Sequence, residues 1–251
     1  MLAYTQFGPN DAPPLMLVHG LFGSGRNWGA IAKGLSDAFH VTTVDLRNHG
    51  DSPRTRTHTY HDMADDLAQL IDDLGAPTHL MGHSMGGKAA MVFALNRPDL
   101  IDRLIIADIA PVTYSHSQLP YIKAMRAVNL NQISRRSEAE DQLQAQGVDP
   151  ALGRFFTQSL DVAERRWKLN LETLGVEMPR IMGFPDVSGQ HSGPTLFLTG
   201  ANSDYVTPQH RPAIRALFPQ ARFVKLKDAG HWLHAERPRA FIAALQGFLG
   251  N

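Results

Sequence analysis

The 251-residue sequence contains no cysteine, which excludes a disulfide framework, a thiolate metal site and a cysteine nucleophile. An excess of charge of either sign is also missing: 24 Lys and Arg face 24 Asp and Glu, for a formal net charge of zero. With no basic block standing out, the electrostatic footprint of a nucleic-acid binder is absent. The expected partner is a small molecule. No stretch approaches the ~18 apolar residues of a membrane span, and "MLAYTQFGPNDAPPLMLVHG" lacks the basic start and cleavage site of a secretory signal. No membrane span is expected, and a cytoplasmic location is the default. Neither a repeat nor a low-complexity tract interrupts the chain, and the composition leaves monomer and homodimer both open.

What is present is a 43% hydrophobic content, enough for a large core in one domain or in one domain carrying an insertion. Over the first 108 residues, β-rich runs at 15–19, 41–45, 78–82 and 103–108 alternate with helical patterns. That alternation predicts βαβ units and a mostly parallel sheet covered on both faces. "TYHDMADDLAQLIDDLG" reads as one helix, with Thr59 and Asp62 as a capping-box-like start and Gly75 as its stop. After Asp108 the pattern changes, and residues 115–185, rich in charge and Gln and broken by prolines, read as an inserted helical cap. The alternation then resumes with a strand at 193–200, a helix near 208–217, the strand "ARFVKLK" and a last helix over 238–249. The expected organisation is therefore a core of 1–114 and 186–251 with a cap over 115–185.

The chemistry centres on "LMGHSMGGKAAM", where Gly82-His83-Ser84-Met85-Gly86 fits G-x-S-x-G between a predicted strand and a predicted helix. A serine on so tight a turn sits in strained backbone with its hydroxyl exposed at the sheet edge, and the glycines let helix and strand approach. Ser84 is the candidate nucleophile; the bland alternative is a serine that merely caps the helix. A hydroxyl needs a base to take its proton. His231, in "DAGHWLHAERP", lies after the last strand at the carboxyl edge of the sheet, where the sites of open α/β folds gather. His19 and His83 read better as structural hydrogen-bonders, and His234 as the start of a helical turn. Two aspartates can orient the imidazole, Asp108 at the end of "LIIAD" and Asp204 in "GANSDYV"; both keep the order Ser, Asp, His and both face the same edge. Asp45 reads as a structural loop carboxylate in "DLRNHGDSP". A developing oxyanion needs N–H donors aimed in advance, and the amides of Leu21, or alternatively Phe22, and of Met85 are the candidates.

Taken together, "LVHGLFGSGRNW", "DLRNHGDSP", "MADDLAQLIDDLG", "LMGHSMGGKAAM", "DIAPVTY", "GANSDYV" and "AGHWLHAERP" resemble the serine esterases of the α/β-hydrolase superfamily. The narrower resemblance is to the bacterial YbfF-type esterases and their mitochondrial abhydrolase-domain relatives, over nearly the whole chain. It implies an α/β-hydrolase fold with a small helical cap after the sixth strand, and a carboxylesterase or thioesterase acting on short to medium acyl chains through an acyl-enzyme. It also tips the acid to Asp108, with Asp204 kept as the position most other α/β hydrolases use. This chemistry needs no metal and no organic cofactor, and the histidines show no HExxH-type spacing. Phe22 and the cap residues Phe155, Phe156 and Trp167 are candidates to line an acyl pocket, the bland alternative being that the cap aromatics only hold the cap together. Arg135 and Arg136 could meet an anionic group such as a CoA phosphate or form a solvated helix face. Rival readings are the same site used for C–C bond hydrolysis, perhydrolysis or acyl transfer, and a non-enzymatic ligand receptor.

Overall fold

Runs of apolar residues with no polar alternation become central strands, because a strand covered on both faces has no side to give to water. The computed structural model describes residues 1–75 and 78–250. Its strands are β1 (Tyr4–Phe7), β2 (Pro14–Val18), β3 (His40–Val44), β4 (Thr78–His83), β5 (Ile101–Ala107), β6 (Leu160–Asp161), β7 (Arg166–Trp167), β8 (Thr195–Gly200) and β9 (Ala221–Leu226). Its α-helices are α1 (Gly29–Leu35), α2 (Tyr60–Leu74), α3 (Met85–Asn96), α4 (Leu119–Ala127), α5 (Arg136–Ala145), α6 (Pro150–Thr157), α7 (Leu171–Val176), α8 (Met178–Met182), α9 (Arg211–Leu217), α10 (Leu233–Glu236) and α11 (Pro238–Leu249). Asn251, the last residue of the expected core segment 186–251, lies outside the described residues.

The seven-stranded sheet runs β1-β3-β2-β4-β5-β8-β9. Its strands are parallel except β1, which pairs antiparallel with β3 at one edge. Successive side chains divide between the two faces. Met16, Val18, Leu80, Leu104 and Ile106 pack with α2 and α3, while Leu15, Leu17, Met81, Ile105 and Leu198 pack with α1 and α11. Helix α2 starts at the expected capping box, with Thr59 accepting from the Asp62 amide and Asp62 returning a bond to Thr59. It stops at Gly75, whose φ of +83° is the left-handed cap that glycine adopts without a Cβ clash.

Between β5 and β8 the chain forms α4 to α8 and the small β6–β7 hairpin, the segment expected as a cap. It leaves after the fifth strand in chain order and not the sixth. The count is lower because only β2, β3, β4 and β5 follow the antiparallel β1 before the insertion. Trp167 is buried there and donates its indole N–H to the Met125 carbonyl at 2.9 Å. Arg135 and Arg136 are both exposed, as the solvated-face reading expects; the Arg136 guanidinium also bonds the Thr157 and Leu160 carbonyls, and Arg135 pairs with Glu138.

Candidate active site

Strand β4 ends and α3 begins within one residue, and Ser84 occupies that joint at φ +53°, ψ −121°. Such a conformation costs a non-glycine residue on the order of 1–3 kcal/mol and persists only where packing dictates it. The packing here is of backbone on backbone. A Cβ on Gly86 would strike the His19 carbonyl, and one on Gly82 the Gly86 carbonyl. The Ser84 hydroxyl makes no capping bond to α3, which removes the helix-cap reading. It lies instead 3.1 Å from Nε2 of His231.

His231 stands on the loop between β9 and α10. Its Nδ1–H donates to Asp108 at 2.8 Å, which leaves Nε2 as the acceptor facing Ser84. Asp108 immediately follows β5, is fully buried, and takes a positive φ of +51°. Its carboxylate also accepts the Gly200 amide at 3.1 Å and the Ser203 hydroxyl, so the buried charge is held by three donors. Asp204 is exposed and is not among the partners of His231 in the described residues; its neighbour Ser203 is the one that reaches the site. Three further groups fix the imidazole. The Tyr205 ring stacks on it at 3.8 Å, His83 Nε2–H donates to the His231 carbonyl at 2.8 Å, and Glu236 accepts the Gly230 amide at 2.7 Å. Burial, with His231 and His234 nearby, holds His83 well below the usual histidine range, so it acts as a neutral donor.

The candidate oxyanion donors are the first amide of α3 and an amide of the loop after β2. Met85 is the first residue of α3, so its amide has no acceptor inside the helix. Among the described residues no hydrogen bond takes the Leu21 amide, whereas the Phe22 amide donates to His49 Nε2 at 3.2 Å. Phe22 is therefore corrected as a donor, since its N–H is committed to a buried imidazole. Because Phe22 sits at φ +65°, that bond also holds the strained turn presenting Leu21.

A model of the alpha/beta hydrolase family matches residues 15–244. The chain belongs to the α/β-hydrolase family. Mouse sn-1-specific diacylglycerol lipase ABHD11 is 42% identical over 96% of this chain and 82% of its own length. Esterase YbfF of Escherichia coli (strain K12) is 36% identical over 99% of this chain and 98% of its own. A solved marine microorganism esterase superposes with a TM-score of 0.93 at 37% identity, covering 98% of both chains. This α/β-hydrolase is an enzyme of the hydrolase class.

Ser84 and His231 open into a cavity of about 240 Å³ between the sheet edge and the inserted segment. Of the sequence candidates, Phe22, Phe155 and Phe156 line it and Trp167 does not. Trp167, with Leu169 and Leu171, belongs to the cluster that holds the insertion together. Beneath the Leu21 turn lies a ladder of buried histidines, of which only His19 was legible in the sequence. His19 and His49 rings are 5.0 Å apart, and His49 and His58 rings 5.3 Å. His19 accepts the Leu46 amide and donates to the Gly20 carbonyl. His49 donates to the Arg47 carbonyl while accepting from Phe22. Burial pushes His19 down to about 4; burial and the neighbouring His19 push His49 down to about 3. Asp45 accepts the Gly25 and Asp51 amides, a loop-holding part that matches its sequence reading. Among the described residues no group of three or more His, Asp or Glu side chains is placed to hold a metal ion, and no helix is long and apolar enough to cross a membrane.

Proposed function

We propose that this hydrolase cleaves carboxylic esters or thioesters of short to medium acyl chains through an acyl-enzyme on Ser84. The observation that carries the reading is the chain of two hydrogen bonds from Ser84 through His231 to buried Asp108, opening into a mainly apolar cavity. Ser84 Oγ attacks the acyl carbonyl as His231 Nε2 takes its proton. The carbonyl oxygen gains negative charge against the Leu21 and Met85 amides, donors fixed before the reaction begins. His231 then protonates the departing alcohol or thiol as the acyl–oxygen or acyl–sulfur bond breaks. Water repeats the sequence on the acyl-enzyme: His231 takes its proton, the acid departs, and Ser84 regains its hydrogen. Asp108 stabilises the imidazolium of both halves and keeps the imidazole in the working tautomer.

The inserted segment serves as the cap of this site, with Phe155 and Phe156 against the acyl chain. The esterase and lipase relatives support the reaction class. Hydrolysis of acetyl, butyryl and octanoyl p-nitrophenyl esters tests it. Ser84→Ala and His231→Ala are expected to abolish turnover or nearly so, with folding checked by circular dichroism, and activity near wild type in either variant would sink the assignment.

A further inference from the structure

Lys88 lies four residues past Ser84 on α3, on the same face of the helix, and is 1% exposed. Its ammonium donates to the Met182 carbonyl at 3.0 Å and to the Gly183 carbonyl at the end of α8. It sits 4.8 Å from the centre of the Tyr114 ring and 5.7 Å from that of Tyr60. Among the described residues no carboxylate lies within ion-pair distance of it. A buried cation with no counter-charge is costly, and two carbonyls compensate it only in part.

The cation also lines the cavity that holds Ser84, and of the residues lining that cavity it is the one drawn from Asp, Glu, Lys and Arg. Apart from its histidines and tyrosines, the cavity lining thus has a single ionisable side chain, a lysine, in a lining that includes Ile109, Ile181 and Met182. An ammonium carries three N–H donors. Two are committed to the carbonyls, and one remains for a ligand.

We propose that Lys88 is a specificity-determining residue for acyl groups that end in a carboxylate, so that the favoured substrates are monoesters or monothioesters of short dicarboxylic acids. The proposal rests on the esterase reading of Ser84. A carboxylate at the far end of the acyl chain supplies the counter-charge the fold withholds, in a charge-assisted hydrogen bond inside a mainly apolar cavity. Burial lowers the Lys88 pKa to about 7. The titratable groups facing it, Tyr60 and Tyr114, are both raised by burial and stay neutral. Their hydroxyls are tied to the Ile181 and Tyr205 carbonyls.

Ethanol release from monoethyl succinate and from ethyl butyrate tests the proposal, since the two esters share leaving group and chain length and differ in the terminal carboxylate. The readout is the ratio of their kcat/KM values in wild type, Lys88→Met and Lys88→Gln, with Ser84→Ala as background. Loss of a charged hydrogen bond is expected to lower the succinate-to-butyrate ratio about tenfold or more. In wild type the ratio is expected to fall as pH rises from about 6 to about 9: Lys88 gives up its proton, the succinate carboxylate stays ionised, and any pH dependence common to both esters cancels. An unchanged ratio in both variants with a flat pH dependence overturns the proposal. So does a parallel loss on both esters, which would make Lys88 a strut for α8. Failure of Ser84-dependent hydrolysis of both esters would instead remove the esterase reading, and this proposal with it.

Discussion

At the scale of single residues, the site is a set of strained or buried groups held by hydrogen bonds that the sequence reveals unevenly. Ser84 was legible because G-x-S-x-G fell between a strand and a helix, and His231 because it followed the last strand. The acid was not decidable from the residues, since β5 and β8 both deliver an aspartate to the same sheet edge. Tertiary packing separates them: Asp108 is buried on His231, while Asp204 points into solvent beside Ser203. Asp108→Asn is therefore expected to lower kcat for p-nitrophenyl butyrate by about 10³ to 10⁴, the scale for a triad acid that fixes the tautomer. Asp204→Asn is expected to stay within a few-fold of wild type, and the reverse ranking would move the acid. Ser203, Tyr205 and His49 escaped the reading because their parts depend on contacts between loops distant in sequence. A serine beside the conspicuous aspartate of "GANSDYV" was the one available signal.

At the scale of elements, the joint between β4 and α3 is tight because α3 packs on β2 and β4 closely enough to reject a single methyl. Gly86 faces the Val18 side chain and the Val18 and His19 carbonyls, contacts with backbone that cannot swing away. Gly86→Ala is expected to cost about 1–3 kcal/mol of stability by overpacking and to lower activity by moving Ser84, measured as a lower urea midpoint with kcat on the butyryl ester. A midpoint and kcat equal to wild type would show that the joint has slack. The central strands and α2 were legible from apolar runs and the Thr59–Gly75 caps. Strand β1 and the β6–β7 hairpin were not. Tyr4–Phe7 is a short, mostly exposed edge strand with no apolar run, defined by its pairing with β3, and two-residue strands carry no periodicity at all.

At the scale of the whole molecule, the fold holds several histidines neutral in its interior. His19, His49 and His234 are pushed down to about 4, 3 and 4, burial being the largest cause in each case. Between their ordinary pKa of about 6.5 and these values the unfolded chain binds protons that the native chain refuses, so stability is full above about pH 6.5 and falls as pH drops toward 4. At pH 5 each of the three is expected to cost about 2 kcal/mol. Urea unfolding at pH 7 and pH 5 reads the difference, and equal stability at the two values would contradict neutral burial. Covalent labelling by a fluorophosphonate, mapped by peptide mass spectrometry, tests most directly whether this architecture makes Ser84 nucleophilic. The account requires label on Ser84, none in Ser84→Ala, and slower labelling in Asp108→Asn. Label on another residue, or none in the folded wild type, would contradict it.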